Sequence, residues 1–580
     1  MKNTKKRYAF LWICAAIVNI KSIFCDYDLD AAYTVAMSYR HINGDRLFLK
    51  MWEPHQTSIF FVDFFALVWR KITGSFDGVA LWLQFCGCIS FLAVSILLYF
   101  AVKRITSKDI AMFISVLFWI LRPKNIQLSD YSNLLVLLST LAFIIFSFYL
   151  TSEKKKLYLV LLGICTSALV LAYPSAIVVA FAIEIMIVIW AEKKKRDALL
   201  YPAVCIVLAI CYLFIIARDT PLTIIMENVE YIVSGDTHSS FRYRGWLFFR
   251  EILIGCAVST ISFLFAKVLC MVKRKDSFVT IRIFLEIQAL LFSALTVLCK
   301  FIKISENIND KSFYFFLFPV YVFCGFFLQK KQKNELSKIY ISGTIISLCA
   351  MLSAVFLSNL PLIASLGYMP LAALLSLTAF STAEDLKQEE RKAGINKIGY
   401  VFVTFFVMAV FQRIFVITST AGISYIYEVE NYIRTGPEKG IVSTLEFCNE
   451  KKIGLEDWKN NVSADDTVLI ARGFGVDVSD YLLAGAKVGT NSVISTPSFN
   501  ETLGEYWILN PEKKPTVIAV ACWGGNEFRT ADQWIYDVID SEYQLSYEEP
   551  IGISTNLIYR IKKKEKFVKI KYDKIIMLCR

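Results

Sequence analysis

Histidine and charge are both scarce in this chain of 580 residues, which contains three histidines and 19% charged residues. Fifteen cysteines are present, but no Cys-x-x-Cys pair occurs and most of them lie in apolar runs, so neither a zinc site nor a disulfide framework is predicted. A dinucleotide-binding turn is not indicated either, since the segment 472–477 (Arg-Gly-Phe-Gly-Val-Asp) lacks the third glycine of that motif. The low charge excludes a single soluble enzyme core.

Apolar residues dominate the chain instead. Hydrophobic residues make up 56% of it and form about thirteen runs, most of them long enough to cross a bilayer as a helix. The net charge of +12 comes largely from Lys and Arg clusters beside these runs, which indicates membrane topology and not nucleic-acid binding. With a cytoplasmic N-terminus, the inside segments carry about twice as many Lys and Arg as the outside loops. An odd number of spans then places the C-terminus outside.

The predicted fold is therefore an all-α polytopic membrane bundle, residues 1–419, followed by an extracytoplasmic α/β domain, residues 420–580. In the α/β domain, strands are predicted at 467–472, 493–495, 515–521 and 557–561, and helices near 441–450, 498–508 and 531–540. Three external pieces are too long to be simple connectors: the first loop (25–76), the loop 218–245 and the C-terminal domain. Function is expected there.

Three aspartates open the first loop, in the sequence Cys-Asp-Tyr-Asp-Leu-Asp at 25–30. In one interpretation, Asp30 caps a helix over 31–42 that ends at Asn-Gly, and Asp26 and Asp28 are solvated. In the other, Asp28 or Asp30 is a general base at the membrane face, where partial desolvation and a neighbouring carboxylate raise its pKa. The two interpretations are compatible, because one aspartate can cap while another reacts.

The rest of the first loop contains an acid and an imidazole close together. Glu53 and His55 lie in the sequence Met-Trp-Glu-Pro-His-Gln-Thr-Ser, before an apolar stretch at 59–69 that predicts a helix lying along the membrane interface. All three histidines of the chain fall in predicted external segments. A single histidine is ordinarily either solvated or packed in the core. The presence of all three histidines on the external side nevertheless favours a function on that side.

Two further external segments combine cations with carboxylates. The loop before the fourth span contains Arg122, Lys124 and Asp130, and Ser-Asp before an apolar run is also a helix-start signal. The loop 218–245 contains a second set, which is Asp236, His238, Arg242 and Arg244. Guanidinium and imidazole groups at a bilayer surface are suited to a phosphate or pyrophosphate, although snorkelling toward the interface is the alternative.

Taken together, these residues resemble a known class of enzymes. A short basic N-terminus, one span, an acidic start of the first loop followed by Tyr33 and Gly-Asp, an interfacial helix, Asp130 after the third span and an external C-terminal domain are similar to the GT-C class of polytopic glycosyltransferases. This class includes the lipid A aminoarabinose transferases and the protein O-mannosyltransferases. The resemblance covers the whole chain as architecture, and its specific motifs lie in the first half.

The resemblance implies a mechanism and a donor. In the GT-C class a first-loop aspartate is the catalytic base, a second external acid assists, and the donor is usually a sugar on a polyprenyl phosphate. These roles would fall on Asp28 or Asp30 and on Asp130. The usual Asp-Glu pair is replaced here by Asp-Tyr-Asp-Leu-Asp, so the identity of the base stays open.

The remaining site residues follow from this mechanism. Cations would stabilise the departing phosphate, and we predict that role for the following residues: His55, Arg122, Lys124, His238, Arg242 and Arg244. Supporting acids would be Asp26, Glu53 and Asp236. A divalent metal, Mg or Mn, would be held by Asp28 and Asp130 if one is used. The predicted partners are the lipid-linked donor, an extracytoplasmic acceptor and membrane lipids, without nucleic acid, in a bacterial cytoplasmic membrane.

Two other functions remain open on the sequence. A transporter or lipid flippase would depend on charges within spans, notably Glu184 and Glu286. A non-catalytic protein that binds cell-wall polymer would use its C-terminal domain and tolerate replacement of every aspartate. Both predict that the first-loop carboxylates are dispensable.

Overall fold

The computed structural model is mostly helical and describes most of the chain. The described residues are 2–191, 194–218, 220–234, 241–272, 277–301, 313–329, 335–356, 362–388, 398–419, 423–471, 478, 480–494, 501–523, 528–529, 533–551 and 554–562. They divide into two compact units, Met1–Leu455 and Glu456–Arg580. The segment 420–455, which we had assigned to the C-terminal domain, is grouped with the helical unit.

Within the residues that the structure describes, the helical unit is built mainly from seventeen α-helices. In chain order these are α1 Lys2–Cys25, α2 Leu29–Ile42, α3 Ile59–Thr73, α4 Val79–Val102, α5 Lys108–Ile120, α6 Tyr131–Thr151, α7 Lys155–Ala172, α8 Ile177–Trp190, α9 Lys194–Ala217, α10 Leu222–Ser234, α11 Phe241–Val272, α12 Ser277–Phe301, α13 Leu317–Gln329, α14 Glu335–Phe356, α15 Leu362–Leu366, α16 Pro370–Gln388 and α17 Ile398–Phe415. A two-stranded antiparallel sheet, β1 Asn431–Tyr432 and β2 Val442–Ser443, follows them.

Seven helices of the described residues are long and apolar enough to cross a membrane. They cover Lys6–Cys25, Val79–Val102, Tyr131–Thr151, Lys155–Ala172, Lys195–Ala217, Gly245–Met271 and Ser337–Val355. Shorter apolar helices cover Pro174–Trp190, Ile283–Phe292, Leu317–Phe326, Pro370–Ala379 and Phe405–Phe415. These helices indicate that the chain is a multi-pass membrane protein. The count of thirteen spans and the in–out topology stay predictions.

Local sequence signals explain where several of these helices begin and end. The sequence Ala-Tyr-Pro-Ser breaks one apolar run into α7 and α8, because Pro174 cannot continue the hydrogen-bond ladder of α7. The helix predicted at 59–69 is confirmed as α3, which ends at Gly74 in the left-handed conformation (φ 75°). Asp130 caps α6 through a hydrogen bond from the Asn133 N–H at 2.7 Å.

One capping prediction was wrong. The helix of the first loop begins at Leu29 and not at residue 31, and its N-cap is Asp28, whose Oδ1 accepts the Ala31 N–H at 3.0 Å. Asp30 lies in the first turn, where a carboxylate also interacts favourably with the helix dipole. Both aspartates are chemically equal caps, so the sequence alone does not choose between them.

In its described residues, the second unit contains a mixed sheet and four helices. The helices are α18 Leu445–Asn461, which begins before the boundary, α19 Asp480–Ala484, α20 Leu503–Leu509 and α21 Gln533–Glu542. The strands are β3 Thr467–Ala471, β4 Lys487–Val488, β5 Val517–Trp523, β6 Phe528–Arg529, β7 Tyr543–Ile551 and β8 Ser554–Ile561. The sheet order is β4-β3-β5-β8-β7, parallel among the first three and antiparallel from β5 to β7, with β6 pairing β5.

The α/β prediction for this unit is confirmed, with differences in individual strands. Strand β3 is buried along its whole length, as its apolar run indicates. Residues 493 and 494 are not in a strand, although a strand was predicted there, and β7 was missed because its many polar residues conceal its strand pattern. The glycine-containing turn at 472–477 lies outside the described residues.

Candidate functional site

Three aspartates from two helix starts surround one lysine side chain. The Lys124 Nζ lies 3.2 Å from Asp28 Oδ2, is in direct contact with Asp30 Oδ2, and is 4.0 Å from Asp130 Oδ2. We call Asp28, Asp30, Asp130 and Lys124 the carboxylate cluster. The Asp30 side chain is the most exposed of the three acids at 26%, Asp28 is 16% exposed, and Asp130 is fully buried. Solvent thus reaches Asp28, Asp30 and Lys124, but not Asp130.

The helix starts position the acids of this cluster. Asp28 caps α2 and Asp130 caps α6, each through its Oδ1, so each directs its Oδ2 toward Lys124. The cap bonds restrict both side chains, because leaving the cap would leave a backbone N–H of the first turn unpaired. Asp30 has no capping bond and contacts Lys124 directly. Two acids of the cluster therefore cap helices, while the third contacts Lys124 without a capping bond.

Burial dominates the electrostatics of Asp130. Its pKa is raised from 3.8 to about 6, first by burial and also by the negative charge of Asp28, while Lys124 and the Asn133 N–H act in the opposite direction. Among the residues that the structure describes, none gives a hydrogen bond to Asp130 Oδ2. A buried oxygen with no hydrogen-bond donor, facing a cation 4.0 Å away, is held mainly by that charge.

The loop between α5 and α6, which carries Lys124, is fastened from three sides. Gln84 of α4 accepts hydrogen bonds from the backbone N–H groups of Gln127 and Leu128, both at 2.7 Å. Asn125 donates to the Val416 carbonyl oxygen at 3.0 Å. Arg413, at the end of α17, donates to the Asn125 side chain and to a backbone carbonyl of the same loop. These bonds place Lys124 on a rigid support.

Arg122 lies inside this support and not in the carboxylate cluster. Its guanidinium stacks over the Phe91 ring at 4.2 Å and donates to the Gln127 side chain. The residue is 1% exposed, and burial lowers its pKa to about 10. A phosphate ligand would need an accessible guanidinium, so the predicted phosphate role does not match this position; Arg122 instead shapes the loop that carries Lys124.

Asp26 is likewise structural. The prediction that it is solvated was wrong, because it is fully buried and pairs with Lys21 Nζ at 2.9 Å. Its other carboxylate oxygen accepts the Thr418 N–H at 2.6 Å. Burial raises its pKa, and Lys21 and Thr418 lower it. Asp26 joins the end of α1 to the chain that follows α17, and so anchors the beginning of the first loop.

Glu53 belongs to a buried ion-pair network within the first loop. The Arg40 guanidinium pairs with Asp45 at 2.9 Å and with Glu53 at 3.0 Å, and Tyr33 donates to Glu53 at 2.9 Å. The side chains of Arg40 and Glu53 are fully buried. The network folds the loop back on α2, so Glu53 supports the site by holding this shape. The sequence analysis did not identify Arg40 as part of this network. The spacing of five residues between Arg40 and Asp45 was the only sequence feature that pointed to their ion pair.

His55 lies beside the cluster on an aromatic stack. Its ring lies on Tyr131 with ring centroids 3.8 Å apart and an angle of 3° between the rings, and Tyr173 is 5.5 Å away. Tyr131 directly follows Asp130, so the imidazole is close to the cluster through this ring. His41, in contrast, pairs with Asp63 at 2.7 Å. The two histidines of the first loop therefore have different surroundings.

The loop 218–245 is described only in part. Its helix α10 contacts the first loop, where Trp52 and Tyr231 stack with centroids 5.0 Å apart and Asn228 donates to the Phe48 carbonyl oxygen. Asp236 and His238 lie outside the described residues, as does the side chain of Arg244. Arg242 is exposed at the start of α11, and no contact between it and the carboxylate cluster occurs among the described residues.

The cluster as arranged does not fit a divalent metal. Magnesium would need carboxylate oxygens about 2.1 Å from one common point. Here the Lys124 ammonium occupies the place on which Asp28, Asp30 and Asp130 converge, and two cations would repel each other there. In the part of the chain that the structure describes, no group of three His, Cys, Asp or Glu side chains is arranged to hold an ion.

This arrangement has a definite chemical capacity. It offers an accessible carboxylate that can accept a proton, and an ammonium that can pair with an anion, within one hydrogen-bond distance of each other. A second, buried carboxylate with a pKa of about 6 lies behind them. A proton acceptor beside a phosphate-binding cation is the pair that group transfer from a phosphate ester needs.

Comparisons with known proteins find matches by structure only. No protein-family model matches the chain, and no curated protein matches its sequence. An oligosaccharyltransferase of Archaeoglobus fulgidus, solved with zinc and sulfate, is similar at TM-score 0.46 and 10% identity, over 88% of this chain and 67% of that chain. The AglB oligosaccharyltransferase of the same organism, in complex with an inhibitory peptide and a dolichol-phosphate, gives TM-score 0.46 and 10% identity over 89% and 69%.

A bacterial structure matches over almost the full length of both chains. ArnT from Cupriavidus metallidurans, in the apo state, is similar at TM-score 0.43 and 9% identity, over 96% of this chain and 98% of that chain. At these TM-scores and identities the likeness carries no argument, and the resemblance of this chain to the GT-C class stays a prediction from its sequence. A likeness at these TM-scores says nothing about substrate or mechanism, for which the residues of this chain are the evidence.

Proposed function

We propose that this protein is a membrane glycosyltransferase that moves a sugar from a polyprenyl-phosphate donor to an acceptor at the outer face of a bacterial cytoplasmic membrane. The observation that carries the proposal is the carboxylate cluster, in which Lys124 lies among three aspartates at the starts of two helices. The acceptor is a cell-envelope glycan, lipid or protein with a free hydroxyl or comparable nucleophile.

The reaction is a single displacement at the anomeric carbon. The acceptor oxygen attacks this carbon, and its proton passes to the carboxylate of Asp28 or Asp30. The bond from the anomeric carbon to the phosphate oxygen breaks, and its electron pair leaves with the polyprenyl phosphate. The transition state is oxocarbenium-like, and a one-step displacement inverts the anomeric configuration. The products are the glycosylated acceptor, the lipid phosphate and one proton on the base.

Exposure and hydrogen bonding support the choice of a first-loop base. Asp28 and Asp30 are partly exposed and can meet an acceptor, whereas Asp130 is fully buried. Asp130 would act behind them by holding the Lys124 ammonium in place. Because the ammonium is a compact charge on a flexible stem, it can pair with a donor phosphate without leaving the cluster.

The other cations have supporting roles in this proposal. His55, which stacks on Tyr131 next to Asp130 in the chain, would approach the donor. His238, Arg242 and Arg244 would approach from the loop 218–245, whose helix α10 contacts the first loop. Loss of one hydrogen-bond donor that stabilises the departing phosphate typically lowers the rate on the order of 100-fold.

A pair of isosteric substitutions tests the base. Membranes loaded with polyprenyl-phosphate sugars that carry a radiolabel would be incubated with the intact protein, with Asp28→Asn and with Asp30→Asn at matched expression. Asparagine caps a helix as well as aspartate does, so Asp28→Asn preserves the start of α2 and removes the basicity and the negative charge of the side chain. We expect one of the two variants to lose transfer by about 100-fold or more.

A control variant separates this proposal from a transporter. Glu184 lies in α8, and its Oε2 is buried without a hydrogen-bond partner among the described residues. A transporter would need this intramembrane acid, whereas the proposed transferase would not. Glu184→Gln should therefore retain full transfer. If sugar transfer survives both aspartate substitutions, the first-loop base is refuted and the transporter function is favoured.

A further inference from the structure

The carboxylate cluster gathers three acids around a single positive charge, that of Lys124. Three carboxylates come from two separate stretches of the chain and converge on one point. Oxygen ligands of this kind, brought together from distant positions, are typical of magnesium, manganese or calcium sites. The point of convergence, however, is occupied by the Lys124 ammonium.

Asp130 provides an independent sign that the cluster is built around a cation. Its side chain is fully buried, and its Oδ2 accepts no hydrogen bond from the described residues. The Oδ1 of the same group is fixed by the cap bond to Asn133, so rotation cannot bring the Oδ2 to another donor without breaking the cap. The free oxygen thus points toward a positive charge, as a metal ligand would.

We propose that the Lys124 ammonium is a resident cation that takes the place of a divalent metal in this cluster. The proposed catalytic consequence rests on the proposed function, whereas the cation site itself does not. A single charge on a flexible side chain balances part of the charge of Asp28, Asp30 and Asp130 in the resting state and pairs with the donor phosphate when it arrives. Transfer would then depend on Lys124 and not on a divalent ion at this position.

The proposal makes a prediction that a phosphate-binding lysine alone does not. Removal of the ammonium leaves three carboxylate groups facing one another without a counter-charge, an arrangement that favours uptake of a cation. Lys124→Met keeps the apolar stem of the side chain and removes the charge. This variant should acquire a binding site for a divalent ion that the original protein lacks, since repulsion by the ammonium is gone.

Manganese binding to the purified full-length chain in lipid nanodiscs tests this prediction. Free Mn²⁺ would be followed by electron paramagnetic resonance during titration at neutral pH, in the absence of any sugar donor. The variants compared are the original protein, Lys124→Met and Lys124→Met/Asp130→Asn. Lys71→Met is the matched control, because Lys71 is exposed in the last turn of α3 and lies outside the cluster.

The expected result is a new Mn²⁺ site in Lys124→Met, with a Kd at least about tenfold lower than in the original protein. The double variant should lose this site, and Lys71→Met should bind as the original protein does. The proposal would be overturned if the original protein bound Mn²⁺ tightly and Asp130→Asn abolished this binding. The Lys124 ammonium would then not occupy the point between the three carboxylates. Equal binding by Lys124→Met and the original protein would overturn it too.

A second variant guards against misfolding, and the readout separates the two proposals. Lys124→Gln should show the same gain of Mn²⁺ binding, since it removes the same charge with a polar side chain of nearly the same length. Melting curves of all variants would confirm that the helical unit is intact. If Mn²⁺ binding behaves as expected while no sugar transfer is found, the resident cation stands and the proposed function fails.

Discussion

Replacement of the buried Asp130 by asparagine should make the protein more stable at neutral pH. The new amide side chain would keep the cap bond to the Asn133 N–H, because asparagine and aspartate are equally good caps. The substitution would remove the negative charge that is buried beside Asp28. The variant therefore isolates the cost of keeping this carboxylate ionised inside the protein.

The size and sign of the effect follow from the pKa. The pKa of Asp130 rises from 3.8 in the unfolded chain to about 6 in the folded protein. Two pKa units correspond to about 3 kcal/mol. Because the folded pKa is the higher one, this group favours the folded state below pH 4, and that advantage is lost as the pH rises through 6. Asp130→Asn should therefore be about 3 kcal/mol more stable than the original protein above pH 7, and equal to it near pH 4.

Thermal melting of the purified protein in detergent, followed by tryptophan fluorescence between pH 4 and 8, measures this difference. Other titrating groups cancel when the variant is compared with the original protein at each pH. Asp77→Asn, at an exposed position just before α4, controls for the amide substitution itself. Two results would contradict this reasoning: a difference in melting temperature that is constant across this pH range, or a variant that is less stable at pH 7.5. Either would show that folding does not raise the pKa of Asp130.

Two further substitutions test how the site is supported. Glu53→Gln should destabilise the protein by about 3 kcal/mol, because it leaves part of the buried Arg40 charge without its partner; melting of the variant beside the original protein checks this, and an unchanged melting temperature would contradict it. Gly87→Ala should lower the stability of the protein by about 1–3 kcal/mol and should also lower sugar transfer, because a Cβ there would overlap the Gln127 carbonyl oxygen of the loop that carries Lys124. Gly245→Ala is the control, since a Cβ there meets no atom within 4 Å, and it should change neither stability nor transfer.

Local signals in the sequence determined much of the helical architecture. Apolar runs longer than a bilayer is thick form helices regardless of what lies beside them, because an unpaired backbone group in lipid is too costly. The break before Pro174, the cap of α6 at Asp130 and the helix at 59–73 depend on contacts within four residues, and all three were predictable. The start of α2 does not belong to this class, since Asp28 caps it and Asp30 was predicted to do so.

Tertiary structure alone decided which of the polar residues form the site. Lys124 and Asp30 are separated by 94 positions, and only the packing of α4, α5 and α6 beside the first loop brings them into contact. The same packing buries Asp26 against Lys21 and Thr418, and turns Arg122 away from the cluster onto Phe91. Composition and spacing assign all of these charges to the membrane surface equally. A long-range contact depends on the relative placement of whole helices, which no short segment encodes, so the distinction between a structural and a chemical charge appears only in the folded protein.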